Sequence, residues 1–242
     1  MSVTTIAIIL AAGRGKRYGS ALPKQFADVL DKPILAYTLE AFQRSPDIDA
    51  IQVVAQPEHF GRVEQIAKAH GITRLRWIVP GGDTCPLSIR SGVYALRDAL
   101  ADDDIALIHM GVSPLVSQSD ISAAINVCRD KGCCFTAHPV TICMARRGGD
   151  GWADKDAPKE DFIEMNTPWA FRYGDIYALY RQRTEPLRES DYTLGLWLAA
   201  GRRAWHVPGT PPGRLKITTE YDRDMFEAYL LWKQRSRRTH YE

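Results

Sequence analysis

"TIAIILAAGRGKRYGSALPKQF", Thr5 to Phe26, sets a β-rich apolar run against a loop that holds three glycines and four cations. The run Thr5 to Leu10 reads as a strand, and Gly13, Gly15 and Gly19 follow it with Arg14, Lys16, Arg17 and Lys24 among and beyond them. Outward from it, Ala50 to Ala55, Leu75 to Pro80 and Asp104 to Met110 read as further strands. The segments between them, "KPILAYTLEAFQRS", "PEHFGRVEQIAKAHG", "PLSIRSGVYALRDAL" and "SQSDISAAINVCRDKG", carry apolar residues three or four apart, as amphipathic helices do. Repeated strand and helix predict an α/β fold, a Rossmann-like, mostly parallel, doubly wound sheet.

The alternation breaks after Val140. "RRGGDGWADKDAPKED" is polar, rich in glycine and charge, and too long for an ordinary connection, so residues 141–166 are expected to form an arm, a lid or a disordered loop. Order resumes with "TPWAFRYGDIYALYRQR" and "SDYTLGLWLAAG", then strands "RAWHVP" and "RLKITT" and a last helix from about Glu220 to Gln234. No internal repeat or second composition regime interrupts this, so residues 1–242 are read as a single domain.

The chain carries 45% hydrophobic and 25% charged residues, the balance of a globular protein. A net charge of +2 is too small to make nucleic acid the expected partner, although "KQRSRRTH" is locally basic. No apolar stretch approaches a membrane span and the N-terminus has no signal-peptide pattern, so a cytoplasmic protein without membrane partners is expected. Five cysteines, Cys133 and Cys134 adjacent, match neither a CxxC metal site nor an even disulfide framework, and reduced, packed thiols are expected.

A glycine loop at the carboxyl end of the first strand lies where open α/β sheets bind ligands, and its bare amides can approach phosphate oxygens. A dinucleotide site calls for G-x-G-x-x-G running into a helix, whereas Gly13, Gly15 and Gly19 give G-x-G-x-x-x-G with Pro23 close behind. The end of the second strand offers Gln56-Pro57 where a nicotinamide enzyme would carry an acid for the ribose, which disfavours an oxidoreductase. A P-loop motif is absent. A loop that wraps a nucleoside triphosphate accounts for both the glycines and the cations; the plain alternative is a solvated basic turn.

"LAAGRGKRYG" with "PKQF" resembles the signature of the CTP-dependent cytidylyltransferases that act on 2-C-methyl-D-erythritol 4-phosphate or ribitol 5-phosphate. The segments "DKPILAYTLEAF", "GGDTCPLSIRSGVYAL", "IHMGVSPLV", "NTPWAF", "SDYTLGLWLAAG" and "LKITTEYD" follow in the order that family shows, so the resemblance covers nearly the whole chain. It implies transfer of CMP from CTP to a polyol phosphate or a related acceptor, with Mg²⁺ and a homodimer whose arm completes the acceptor site. Position by position, it makes Leu10, Ala11, Ala12, Gly13 and Gly15 contacts to CTP, Arg17 and Lys24 the triphosphate clamp, Gly82, Asp83 and Ser88 readers of cytosine and ribose, and Lys216 the lysine of the α-phosphate. Lys159 and Asp191 fall at acceptor positions; read bare, one is a solvated lysine and the other a helix cap.

The sequence also departs from that pattern. The family's "HDAxRP" is His109-Met110-Gly111-Val112-Ser113-Pro114, the arginine after "GG" is Cys85, the "DT" of the arm is Ile142-Cys143, and the glutamine of "TPQ" is Trp169. Met110 replaces the acid that helps hold Mg²⁺, and a thioether does not ligate a hard cation, which leaves the metal ligands open. Two readings follow, an enzyme with an altered acceptor or a nucleotide-binding relative with weak or lost catalysis, and joint retention of Arg17, Lys24 and Lys216 favours the enzyme. His109, at a strand end, is expected to be structural.

Overall fold

The computed structural model describes residues 3–14 and 22–238. In chain order, β1 (Thr5–Leu10) is followed by a short hairpin of β2 (Asp28–Val29) and β3 (Lys32–Pro33), then α1 (Ile34–Gln43), β4 (Ala50–Ala55), α2 (Phe60–Ala69), β5 (Leu75–Pro80) and α3 (Cys85–Tyr94). There follow β6 (Ile105–Met110), α4 (Gln118–Lys131), β7 (Cys133–Pro139), the hairpin β8 (Met144–Arg147) and β9 (Ala153–Ala157), β10 (Ile163–Arg172), α5 (Tyr173–Arg181), α6 (Thr193–Ala199), β11 (Trp205–Pro208) and α7 (Glu220–Arg238).

Seven strands form the main sheet in the order β11-β7-β10-β6-β1-β4-β5. Neighbours are parallel except at β10, which runs antiparallel to β6 and β7. Its direction has a local cause: the chain leaves the sheet at the end of β7, makes the β8–β9 hairpin and returns along β7. Strands buried on both faces need a near-continuous apolar run, and β1 supplies it from Ile6 to Leu10. Ala7 and Ile9 join Leu35, Leu39 and Phe42 of α1 and Ile121 and Ile125 of α4 on one face, while Ile6, Ile8 and Leu10 join Ile89 and Val93 of α3, Ile176 of α5 and Trp197 of α6 on the other. A third, smaller cluster of Val29, Ile34, Val112, Ile217 and Phe226 seats α7.

Local chemistry sets the element ends. At α4, Ser117 Oγ accepts the Asp120 N–H at 3.0 Å and Asp120 accepts the Ser117 N–H at 3.1 Å, a reciprocal cap. The helix stops at Gly132, whose φ of 81° lets β7 begin at the next residue.

The expected excursion at 141–166 takes the form of the β8–β9 hairpin and the outer half of β10. Arg146 grips Asp154 with two hydrogen bonds of 2.9 and 2.6 Å, Trp152 lies over Gly148 and Gly149 at the tip, and among the described residues the hairpin's hydrogen bonds are all with itself. Ile142, Trp152, Phe162, Ile163 and Met165 stand exposed along this arm.

Two expectations are corrected. "RLKITT" is no strand: a 3-10 turn over Pro211–Arg214 precedes it, and the backbone N–H groups of Thr218 and Thr219 go to the Asp222 carboxylate instead of a neighbouring strand. The last helix runs four residues past Gln234, to Arg238. No helix among the described residues is long and apolar enough to cross a membrane.

Candidate nucleotide-binding site

From β1 the chain lays down β4 and β5 on one side and then crosses back to place β6 on the other, so the connections at their carboxyl ends open a crevice, the usual ligand position in such sheets. Three loops line it: Ala11–Arg14 after β1, Gly81–Thr84 after β5 and Gly111–Pro114 after β6.

The first loop is held by its carbonyls. Gln25, fully buried on the 3-10 turn Lys24–Phe26, donates its amide to Ala11 O at 2.6 Å and Gly13 O at 3.0 Å, and Gln56 donates to Ala12 O at 3.0 Å. Ala11 N–H is spent on Val54 O, but neither Ala12 nor Gly13 N–H donates to any described residue. With carbonyls tied back and amides uncommitted, the loop suits an anion. Gln56 stands where a dinucleotide site would carry an acid; here a neutral amide braces the loop.

The second loop packs on the first. A Cβ at Gly81 would sit 2.2 Å from the Ala12 Cβ, so only glycine admits this approach. Ser88, on α3, accepts the Gly82 N–H at 3.1 Å and donates to Thr84 O at 3.0 Å; its hydroxyl is buried and shapes the loop from behind. Asp83 is exposed and pairs with Arg14 at 3.4 Å, a bridge between the two loops.

Lys24 and Lys216 come to this crevice from segments far apart in sequence. Ile217 N–H bonds Val112 O at 2.8 Å, docking the Lys216 segment on the third loop, and Ile217 is buried in the cluster under α7. Burial pushes the Cys85 thiol up, and the nearby Lys216 ammonium partly opposes this, so Lys216 faces the start of α3. At Asp222, burial works to raise the carboxyl, but hydrogen bonds from Thr219 and Thr218 and the nearby Lys24 ammonium outweigh it and lower the pKa below its ordinary value. Lys24 and the Lys216 segment thus meet at one carboxylate. Gly15 and Arg17 lie outside the described residues.

Of the positions that depart from the family pattern, Met110, Ser113 and Trp169 are packed into the interior, whereas Ile142 and Cys143 are exposed on the arm. Met110 is half-buried between two core clusters. His109 is fully buried, donates from Nε2 to Ser113 O at 2.9 Å, and is held neutral because burial lowers its pKa to about 4. Ser113 and Trp169 are buried, and neither side chain has a hydrogen-bond partner among the described residues. Cys128, Cys133 and Cys134 are buried thiols whose pKa values burial raises. Asp191 accepts from Arg183 at 2.6 Å, from Arg188 N–H at 2.9 Å and from the Arg188 guanidinium at 3.4 Å, which staples its loop. Lys159 is exposed on the arm, in a 3-10 turn before β10.

The profile of the 2-C-methyl-D-erythritol 4-phosphate cytidylyltransferase family matches residues 5–231. The chain belongs to that family. Among its curated relatives, a ribitol-5-phosphate cytidylyltransferase of Lacticaseibacillus paracasei is 32% identical over 231 residues, covering 94% of this chain and 98% of the relative. A 2-C-methyl-D-erythritol 4-phosphate cytidylyltransferase of Geobacter metallireducens is 33% identical over 237 residues, covering 94% and 98%. The crystal structure of the 4-diphosphocytidyl-2C-methyl-D-erythritol synthase of Anaerococcus prevotii superposes with a TM-score of 0.79 at 26% identity, covering 95% of this chain and 96% of that one.

Within this cytidylyltransferase frame, three residues matter that sequence reasoning passed over. Gln25 lies inside the quoted "PKQF" but was overshadowed by its charged neighbour, and Gln56 entered only as a missing acid. Asp222 sits inside "LKITTEYD", where an acid at the start of a helix reads as a cap and gives no sign of a lysine 198 positions earlier in the chain.

Proposed function

We propose that this chain transfers the cytidylyl group of CTP to the phosphate of a polyol phosphate, of ribitol 5-phosphate or 2-C-methyl-D-erythritol 4-phosphate type, and releases pyrophosphate. The observation that carries this reading is the convergence of an amide-bearing loop, braced by Gln25 and Gln56, with Lys24 and Lys216. An acceptor phosphate oxygen forms a bond to the α-phosphorus of CTP while the bond from that phosphorus to the oxygen bridging the β-phosphate breaks. No covalent nucleophile is needed; charge stabilisation and alignment suffice. Lys24 and Arg17 hold the departing phosphates, Lys216 balances charge at the α-phosphate, and Gly82 and Asp83 meet the nucleoside. In a thermal-shift panel CTP stabilises the protein and NAD does not; stabilisation by NAD alone would favour an oxidoreductase, and by neither a different class of protein.

Among the described residues no three His, Cys, Asp or Glu side chains gather where they could hold a metal, and Met110 stands at the family's acidic position. They offer no all-protein cage for Mg²⁺, an ion ordinarily held by one or two carboxylates together with substrate phosphates. We propose that Mg²⁺ arrives on the phosphates, as Mg·CTP. Met110→Asp is then expected to lower the Mg²⁺ concentration for half-maximal pyrophosphate release by roughly threefold or more, since a carboxylate is a hard-cation ligand and a thioether is not. An unchanged Mg²⁺ titration would contradict this. A second reading, nucleotide binding with weak turnover, draws on the same Met110.

The exposed apolar side chains of the arm support a homodimer in which Lys159 reaches the acceptor phosphate of the partner's site. Light scattering at micromolar concentration is expected to give a dimer, and deletion of Gly148 to Ala157 to reduce turnover while leaving CTP affinity nearly unchanged; a monomeric wild type would remove the role given to Lys159. Ser113 and Trp169, buried where the resemblance places an arginine and a glutamine, support an acceptor other than methylerythritol phosphate, a different polyol phosphate or a phosphonate. The cytoplasm is the compartment proposed for this chemistry.

A further inference from the structure

Asp222 has no part in the reading just given, yet its carboxylate holds the backbone that follows Lys216 and lies near Lys24. Its Oδ2 accepts three hydrogen bonds, from Thr218 N–H at 2.8 Å, Thr219 N–H at 2.8 Å and Thr219 Oγ at 3.0 Å. These are the residues two and three after Lys216, in a segment with no strand neighbours to hold it. Upstream, Arg214 pairs with Glu164, Asn166 donates to Gly213 O at 3.1 Å, and Thr210 bonds Asp120 at 2.9 and 2.7 Å. Downstream of Ile217, the Asp222 carboxylate takes both of the next two backbone N–H groups. The same carboxylate feels the Lys24 charge from the 3-10 turn that Gln25 locks to the phosphate loop. Asp222 belongs to α7, seated through Phe226 on the cluster that contains Ile217 and Val112, so its place is set by the core.

We infer that Asp222 is a positioning residue for the transfer reaction: it fixes the backbone that presents Lys216 and keeps that segment in register with Lys24. The inference rests on the cytidylyltransferase reading. It differs from ordinary helix capping in consequence, because a cap lost from α7 alone would reduce stability and leave the chemistry intact.

The test is a cycle of Asp222→Ala, Lys216→Ala and the double variant, with kcat from pyrophosphate release, CTP Kd from calorimetry and a melting curve for each. Asp222→Ala is expected to lower kcat more than tenfold with CTP Kd within about threefold, and to add nothing in the Lys216→Ala background, because it acts through that lysine. Asp222→Asn, which keeps an oxygen acceptor, is expected to recover most of kcat. Multiplicative effects of the two single variants, or an unchanged kcat in Asp222→Ala, would overturn the inference. Should Asp222→Ala fail to fold, Asp222→Ser, too short to reach both amides, takes its place in the cycle. If wild type binds no CTP, or Lys216→Ala turns over like wild type, the functional reading has failed; if Lys216→Ala is slow and Asp222→Ala is not, the inference alone has failed.

Discussion

Replacing Lys24 with alanine is expected to weaken CTP binding roughly 10- to 150-fold, the span that follows from losing a charge-assisted hydrogen bond of about 1.5–3 kcal/mol. Lys24 opens the 3-10 turn whose next residue, Gln25, anchors the carbonyls of Ala11 and Gly13, so its stem is fixed relative to the loop amides. Arg14, only ten residues earlier, makes the contrast. Its side chain is 64% exposed and pairs with an Asp83 that is 87% exposed. Pairs of that kind contribute about 0–1 kcal/mol, so Arg14→Ala is expected to change CTP affinity less than about fivefold. Calorimetric titration of both variants checks this; equal, small effects would remove Lys24 from the clamp.

Gly81→Ala is the second large effect. Its methyl would lie 2.2 Å from the Ala12 Cβ and 3.1 Å from Ser88 Oγ, and Ala12 has no rotamer with which to retreat. One of the two loops must move, at the 1–3 kcal/mol typical of overpacking. Movement of the first loop also displaces the Ala12 and Gly13 amides, so CTP affinity should fall about tenfold or more alongside a lower Tm. Gly195→Ala is the control: on α6 an added methyl meets nothing within 4 Å, and there the substitution should be neutral or slightly stabilising. Equal CTP affinities for the Gly81 and Gly195 variants would show that the two loops do not form one site.

The inner strands of the central sheet were legible because burial on both faces demands mostly apolar runs: Thr5–Leu10 and Ala50–Ala55 were expected at the bounds found, and the strand expected from Asp104 begins one residue later, at Ile105; the half-exposed edge strand Leu75–Pro80 was also expected at its bounds, from its β-branched and aromatic residues. "RLKITT" misled because its β-propensity is real but its amide partners belong to Asp222, a tertiary fact. The short β2–β3 hairpin was also missed: its turn places Leu30 and Asp31 at φ of 48° and 61°, without the glycine that usually marks such a turn. At the site, the glycines and cations of the first loop announced an anion, because few other ligands call for both. What holds that loop was silent, since a buried glutamine bonded to a carbonyl leaves no period and no charge in the sequence. Lys24 and Lys216 were linked only by resemblance; in the fold they meet through α7, whose seating on Val112 and Ile217 depends on long-range packing.

The most direct measurement is ³¹P NMR of the protein with CTP, Mg²⁺ and a polyol phosphate, ribitol 5-phosphate first and 2-C-methyl-D-erythritol 4-phosphate second, with each substrate omitted in turn. The account predicts pyrophosphate and a new diphosphate diester in equal amounts, formed only when CTP and acceptor are both present, and faster with the acceptor other than methylerythritol phosphate. CTP that binds yet stays intact with every polyol phosphate and phosphonate tried would contradict it.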